Sequence, residues 1–187
     1  KFTRNNIKEI AHNKSDNYVH TVLKRFVASD ILREEKIGNS IAYSLQNNTI
    51  SLNTIGFIAE YNATISKHIP HKNIQTIIDK LKTVFYILIV TGSYAKKKQK
   101  DTSDLDIVII CDNKQEPNAL LAQIKLEAEL LTPEIHPYVF TQEQFQQMLT
   151  TKEENYGKEI ARNNLIITGG KEYYSILLEA ITRGFNG

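Results

Sequence analysis

The sequence predicts an α+β fold, and three observations carry that prediction. An apolar stripe at Val19, Val22, Leu23, Phe26 and Val27 repeats at i, i+3, i+4, i+7 and i+8, as one face of a helix does. Ser40 to Leu45 alternates with Ile41, Tyr43 and Leu45 on one side, as a half-buried strand does. Two runs, Val84 to Thr91 and Ile107 to Cys111, are short, apolar and rich in β-branched residues, the composition of strands buried on both faces.

The chain has 187 residues, room for one ordinary domain or two small ones, and its 41% apolar and 24% charged content is that of a globular protein. The lone Cys111 excludes a disulfide framework and a multi-cysteine zinc site. The longest apolar run, Val84 to Val90, is far shorter than the roughly 18 residues of a membrane helix. No signal peptide is visible, so a cytoplasmic location without membrane contact is expected. A formal charge of +2 gives no bulk attraction to nucleic acid, so any such affinity rests on a local patch. Residues 1–50 hold eight Lys and Arg against five Asp and Glu, a slightly basic head on a near-neutral body.

In the head, Ile7, Ile10 and Ala11 mark a short helix and Asn13-Lys14 a turn. Ser15 is placed to cap the next helix, which ends near Asp30. The face opposite its apolar stripe presents Asn17, Tyr18, Thr21, Lys24 and Arg25, donor-rich side chains of the kind that reach phosphates and base edges. Ile31 to Ile37 and Ser40 to Leu45 form a hairpin around Gly38-Asn39. Helix, turn, capped helix and hairpin is the order of a winged helix-turn-helix, and "ILREEKIGNSIAYSL" resembles the wing of archaeal and bacterial winged-helix regulators. Such a head contacts nucleic acid or another protein. The polar stretch Gln46 to Thr49 is the candidate linker, which divides the chain into domains at 1–48 and 49–187.

In the body, Thr49 to His68 reads as helical, with Gly56 weakening the pattern, and a second helix can begin at Pro70. The strand ending at Thr91 runs into Gly92-Ser93; ten residues follow, and Asp104-Leu105-Asp106 then opens the next strand. Side chains two apart on a strand share a face, so Asp104 and Asp106 stand side by side and repel each other unless a cation lies between them. Such hard oxygen ligands suit magnesium. Gly92 lets the backbone approach a ligand closely, and Ser93 adds a hydroxyl and an amide for the terminal phosphates of a nucleotide. Two metal ions held here would clamp the attacking and leaving oxygens of an in-line displacement.

The segment "TGSYAKKKQKDTSDLDIVII" resembles the signature of the minimal nucleotidyltransferases of the DNA polymerase β superfamily, and Gly92, Ser93, Asp104 and Asp106 match its Gly-Ser-x10-Asp-x-Asp pattern. With the winged helix-turn-helix head, the whole resembles archaeal proteins of that architecture. The resemblance implies a polymerase-β-like domain with a mixed sheet packed on helices. It implies a third acid on a neighbouring strand, for which Glu134 is the candidate as ligand or base, with His136 its alternative should the strand slip around Pro137. The basic loop from Lys96 to Lys100 would attract a triphosphate, with Lys96 nearest the motif.

Further along, Glu116 to Leu131 reads as a crossover helix and Gln142 to Leu149 as a helix capped by Thr141. Asn155 to Ile167 and Lys171 to Arg183 read as two more helices. Tyr156, Tyr173 and Tyr174 read first as core, with base stacking as the other use; Lys158 and Arg162 read as solvated charge within reach of phosphates.

The resemblance thus implies magnesium-dependent transfer of a nucleoside monophosphate, AMP from ATP foremost, to a hydroxyl of a protein or nucleic-acid acceptor, with release of pyrophosphate. The alternative is a DNA-binding regulator whose nucleotidyltransferase domain only senses nucleotide. A homodimer follows by analogy with other winged-helix heads.

Overall fold

The structure is a computed structural model and describes residues 1–186. The chain forms two compact units that divide between Thr54 and Ile55.

The first unit opens with a short strand, β1 (Phe2–Thr3), and two helices, α1 (Arg4–Ile10) and α2 (Asp16–Ala28), followed by the hairpin β2 (Leu32–Ile37) and β3 (Ser40–Leu45). Thr3 caps α1 in a reciprocal capping box with Asn6, and the Ser15 side chain accepts from the Tyr18 amide at the start of α2. The strands pair antiparallel in the order β1-β3-β2. The core is small: Val19, Leu23 and Tyr43, with Ile7, Val27 and Leu32 packed on it. Asn48 and Ser51, at the start of α3 (Thr49–Thr64), bind back to the chain around Asp30, so the polar stretch before α3 is tied down.

α3 runs unbroken through Gly56 because a side chain there would collide with the backbone of Gly170 and Lys171; the glycine is a close-approach residue, not a breaker. The second unit continues with α4 (His71–Lys80), β4 (Tyr86–Val90), a one-turn helix α5 (Gly92–Ala95), β5 (Leu105–Cys111), α6 (Pro117–Leu130), β6 (Ile135–Thr141), α7 (Gln142–Thr150), α8 (Tyr156–Arg162), β7 (Leu165–Thr168) and α9 (Gly170–Thr182). Its sheet is mixed, in the order β6-β5-β4-β7: β5 lies parallel to β6 and antiparallel to β4, and β7 pairs antiparallel with β4.

One face of this sheet, with Leu88, Val90, Leu105, Ile107 and Ile109, packs on Ile74 and Ile77 of α4 and Ile124 and Ala128 of α6. The other face, with Ile87, Ile89, Val108 and Ile110, packs on Phe145, Leu149, Ile160 and Tyr173 of α7, α8 and α9. Both faces being covered explains the continuous apolar runs of β4 and β5. Every residue of β5 is buried except Asp106, which is partly exposed at its leading end.

Two expectations fail here. The segment taken as one helix from Asn155 to Ile167 breaks after Arg162, and Leu165–Thr168 is strand β7. The edge of β4 was open, and pairing with it satisfies backbone groups that an exposed helix end would have left to water. The run from Val84 also starts its strand late, since Val84 itself is fully exposed and pairing begins at Tyr86. Pro137 lies on β6, an edge strand, where its missing amide donor costs no ladder bond on the open side. No helix among the described residues is long and apolar enough to cross a membrane.

Candidate active site

The site is assembled at one end of β4 and β5. Past Val90, the Thr91 amide donates to the Asp106 carbonyl at 3.0 Å and its hydroxyl donates to the Asn163 carbonyl at 3.0 Å, which pins the strand end. The backbone then turns at Gly92 with φ +64°, a left-handed conformation that favours glycine. The space a Cβ would take at Gly92 is filled by the Asp106 carboxylate. Sequence spacing alone does not require this apposition; the antiparallel pairing of β4 with β5 creates it.

Gly92 and Ser93 begin the one-turn helix α5, whose first amides are not capped by the Thr91 side chain. The loop is then closed by backbone bonds, the Lys98 amide donating to the Ser93 carbonyl at 2.9 Å and the Lys100 amide to the Ser103 hydroxyl at 2.9 Å. Tyr94 is buried in the core and anchors this loop; burial, with Asp104 and Asp101 nearby, pushes its phenol up. Lys96 reaches across to α8 and pairs with Glu159 at 3.0 Å. Lys97, Lys98 and Lys100 point to solvent.

Asp104 precedes β5 and is exposed; Asp106 is on it. The parallel register sets Asp106 opposite His136, and the Leu105 amide donates to the Glu134 carbonyl at 2.8 Å. Glu134 and His136, the two candidates for the third position, therefore come to the same place. The His136 Nε2 lies 3.5 Å from a Glu134 carboxylate oxygen and 3.9 Å from one of Asp104. One ligand atom from each of Asp104, Glu134 and His136 falls within 4.8 Å of the others. The strand does not slip: both side chains belong to one face because they are two residues apart.

Burial pushes the Asp106 carboxyl up, with Asp104 and Glu159 adding to the rise and His136 opposing it. The His136 imidazole is the basic group set beside Asp104 and Glu134. A close group of acids with an imidazole among them has the donor chemistry of a divalent metal site. The residues present thus fit magnesium and a nucleoside triphosphate.

One contributor escaped the sequence: Glu159 faces Asp106 and holds Lys96. Tyr156, read first as core, lies one helical turn before it on α8. Tyr156 packs its ring 4.9 Å from that of Tyr138, and burial pushes its phenol well up, Asp106 adding to the effect. The Asn155 cap and the spacing of Tyr156 and Glu159 were visible, but not which strand end α8 would cover. Lys158, read as solvated, is instead buried and donates to the Lys152 carbonyl, Arg162 is bound bidentately by Glu154, and Tyr173 is buried in the core, as its first reading had it.

In the first unit, Asn17, Tyr18, Thr21, Lys24 and Arg25 all lie on the exposed side of α2. Thr21 donates to the Asn17 carbonyl at 2.9 Å, and Lys24 pairs with Glu34 of β2 at 3.1 Å.

Residues 73–164 match the family model of the nucleotidyltransferase domain, a stretch that contains Gly92, Ser93, Asp104, Asp106, Glu134, His136 and Glu159. The crystal structure of a toxin-antitoxin with AMP-PNP is similar at 13% identity and a TM-score of 0.43, over 61% of this chain and 86% of that one. No curated protein matches the sequence. The likeness to nucleotidyltransferases thus rests on residues 73–164.

Proposed function

We propose that this nucleotidyltransferase moves a nucleoside monophosphate, AMP from ATP foremost, to a hydroxyl of a protein or nucleic-acid acceptor and releases pyrophosphate. The observation that carries the proposal is the Asp106 carboxylate set against the Gly92 turn, with Asp104, Glu134 and His136 gathered beside it. Magnesium held by Asp104 and Asp106 would supply the positive charge that the reacting α-phosphate needs. The chain's own residues do the rest. The amides of Gly92 and Ser93 and the Ser93 hydroxyl orient the terminal phosphates. Lys96 offers them its ammonium in exchange for Glu159, a partner on an exposed pair worth ~0.2–1 kcal/mol and so readily replaced. Glu134, exposed beside Asp104, completes the site as a metal ligand or as the base for the proton of the acceptor hydroxyl. The pairing of Asp106 with β4 keeps its carboxylate at the turn throughout.

The test is incubation of the chain with each α-³²P-labelled nucleoside triphosphate and magnesium, with and without cell extract, beside Asp104→Asn/Asp106→Asn. Label moved by the wild type alone supports the reading, and the labelled species names the acceptor class. No transfer with any nucleotide overturns it.

The exposed polar side of α2 favours a second use for the first unit. Its helix–turn–helix–hairpin order with Asn17, Tyr18, Thr21 and Arg25 outward suits a winged helix-turn-helix domain that places α2 against duplex DNA. Domains at 1–48 and 49–187 would then divide binding from chemistry. Binding that fails to weaken with added salt would sink this reading.

A further inference from the structure

Imidazole is an unusual donor beside the acids of a magnesium site, and its position here is specific. His136 stands on β6 directly opposite Asp106, and its Nε2 is the atom that closes the 4.8 Å group with the Asp104 and Glu134 carboxylates. All three side chains are exposed at the strand ends, where an ion can enter without displacing core. The group opens onto a cavity of about 320 Å³ that Glu134, His136 and Tyr138 help to line, enough for an ion's remaining water ligands. The cations nearby are engaged elsewhere: Lys96 with Glu159, and Lys125, across the cavity, with Glu129.

Magnesium binds oxygen and rarely takes imidazole, whereas first-row transition ions accept both. We infer that Asp104, Glu134 and His136 form a mixed carboxylate–imidazole site for a divalent first-row transition ion, which manganese fills in preference to magnesium. The inference rests on the proposed reading of the same site and names the metal class that one position prefers. Manganese suits it because it keeps the octahedral, phosphate-tolerant coordination of magnesium while accepting the His136 nitrogen. His136 is then the selecting ligand.

The nucleotide-free full chain is titrated with Mn²⁺, following free Mn²⁺ by electron paramagnetic resonance, and with Mg²⁺ by competition. The wild type should bind Mn²⁺ at least about tenfold more tightly than Mg²⁺. His136→Ala should weaken Mn²⁺ by about ten- to a hundredfold and leave Mg²⁺ within about threefold. His136→Asp, which restores an oxygen ligand, should narrow the gap by tightening Mg²⁺. Circular dichroism confirms that each variant is folded. Equal affinities in the wild type, or a manganese preference that survives His136→Ala, overturn the inference. Label transfer with magnesium alone and no manganese preference would defeat this inference and leave the transfer reading standing. Manganese selectivity lost in His136→Ala, with no transfer under either metal, would do the reverse.

Discussion

The first unit and the second treat charge in opposite ways. In the first, acids and bases find each other: Lys1 with Glu35, Arg4 and Lys8 with Asp16, Lys24 with Glu34. These pairs are exposed and screened by water, so they balance a surface more than they hold it together. In the second, Asp104, Asp106 and Glu134 crowd one strand end around His136. The contrast sets charge paired across a surface against like charge gathered in one place, the arrangement on which the proposed metal site rests.

The largest expected break of that contrast is at the acids. Asp104→Asn or Asp106→Asn should lower label transfer by about a thousandfold or more, since metal-assisted charge stabilisation is worth several kcal/mol at ~1.4 kcal/mol per decade. The same Asp106→Asn chain should be the more stable one in chelator at neutral pH. The sign follows from the raised carboxyl. Folded Asp106 holds its proton above the ordinary value of 3.8, so folding stability falls as pH rises through that acidic window and stays lower above it. Melting curves of both chains against pH should converge as pH falls through that window.

Gly92→Ala comes next. A left-handed alanine costs ~1–2 kcal/mol, and here its methyl also displaces the Asp106 carboxylate. Transfer should fall about ten- to a hundredfold with a lowered melting temperature, whereas Gly38→Ala, whose added Cβ meets nothing within 4 Å, should leave transfer unchanged.

Glu159→Gln turns the one paired lysine of the site loose. With Lys96 freed and one negative charge removed from beside Asp106, KM for the triphosphate should fall about two- to fivefold with kcat nearly constant. An unchanged KM would mean that Lys96 does not meet the phosphates. The matching change in the first unit, Glu34→Ala, frees Lys24 and should tighten duplex binding by only about twofold at low salt, an effect that added salt erases.

Much of this could be read from residues. The caps at Ser15 and Thr141, the α2 stripe and the β2–β3 hairpin are local, so neighbouring side chains decide them. The Gly-Ser and Asp-x-Asp motif was legible because a close backbone approach demands glycine and a metal demands paired acids, whatever surrounds them. What failed was non-local. Leu165–Thr168 became a strand because β4 had an open edge, and Gly56 stayed in a helix because Gly170 lies against it.

The sequence by itself determined the chemistry: which acids, which glycine, which basic loop. Only the tertiary structure decided the company they keep. The parallel register of β5 with β6 put His136 opposite Asp106 and brought Glu134 beside Asp104. The packing of α8 across the sheet brought Glu159 to Lys96. Motifs report what a short stretch of chain can do with its own atoms. Strand register and helix packing depend on burying apolar surface across the whole unit, and that sum is not written in any one segment.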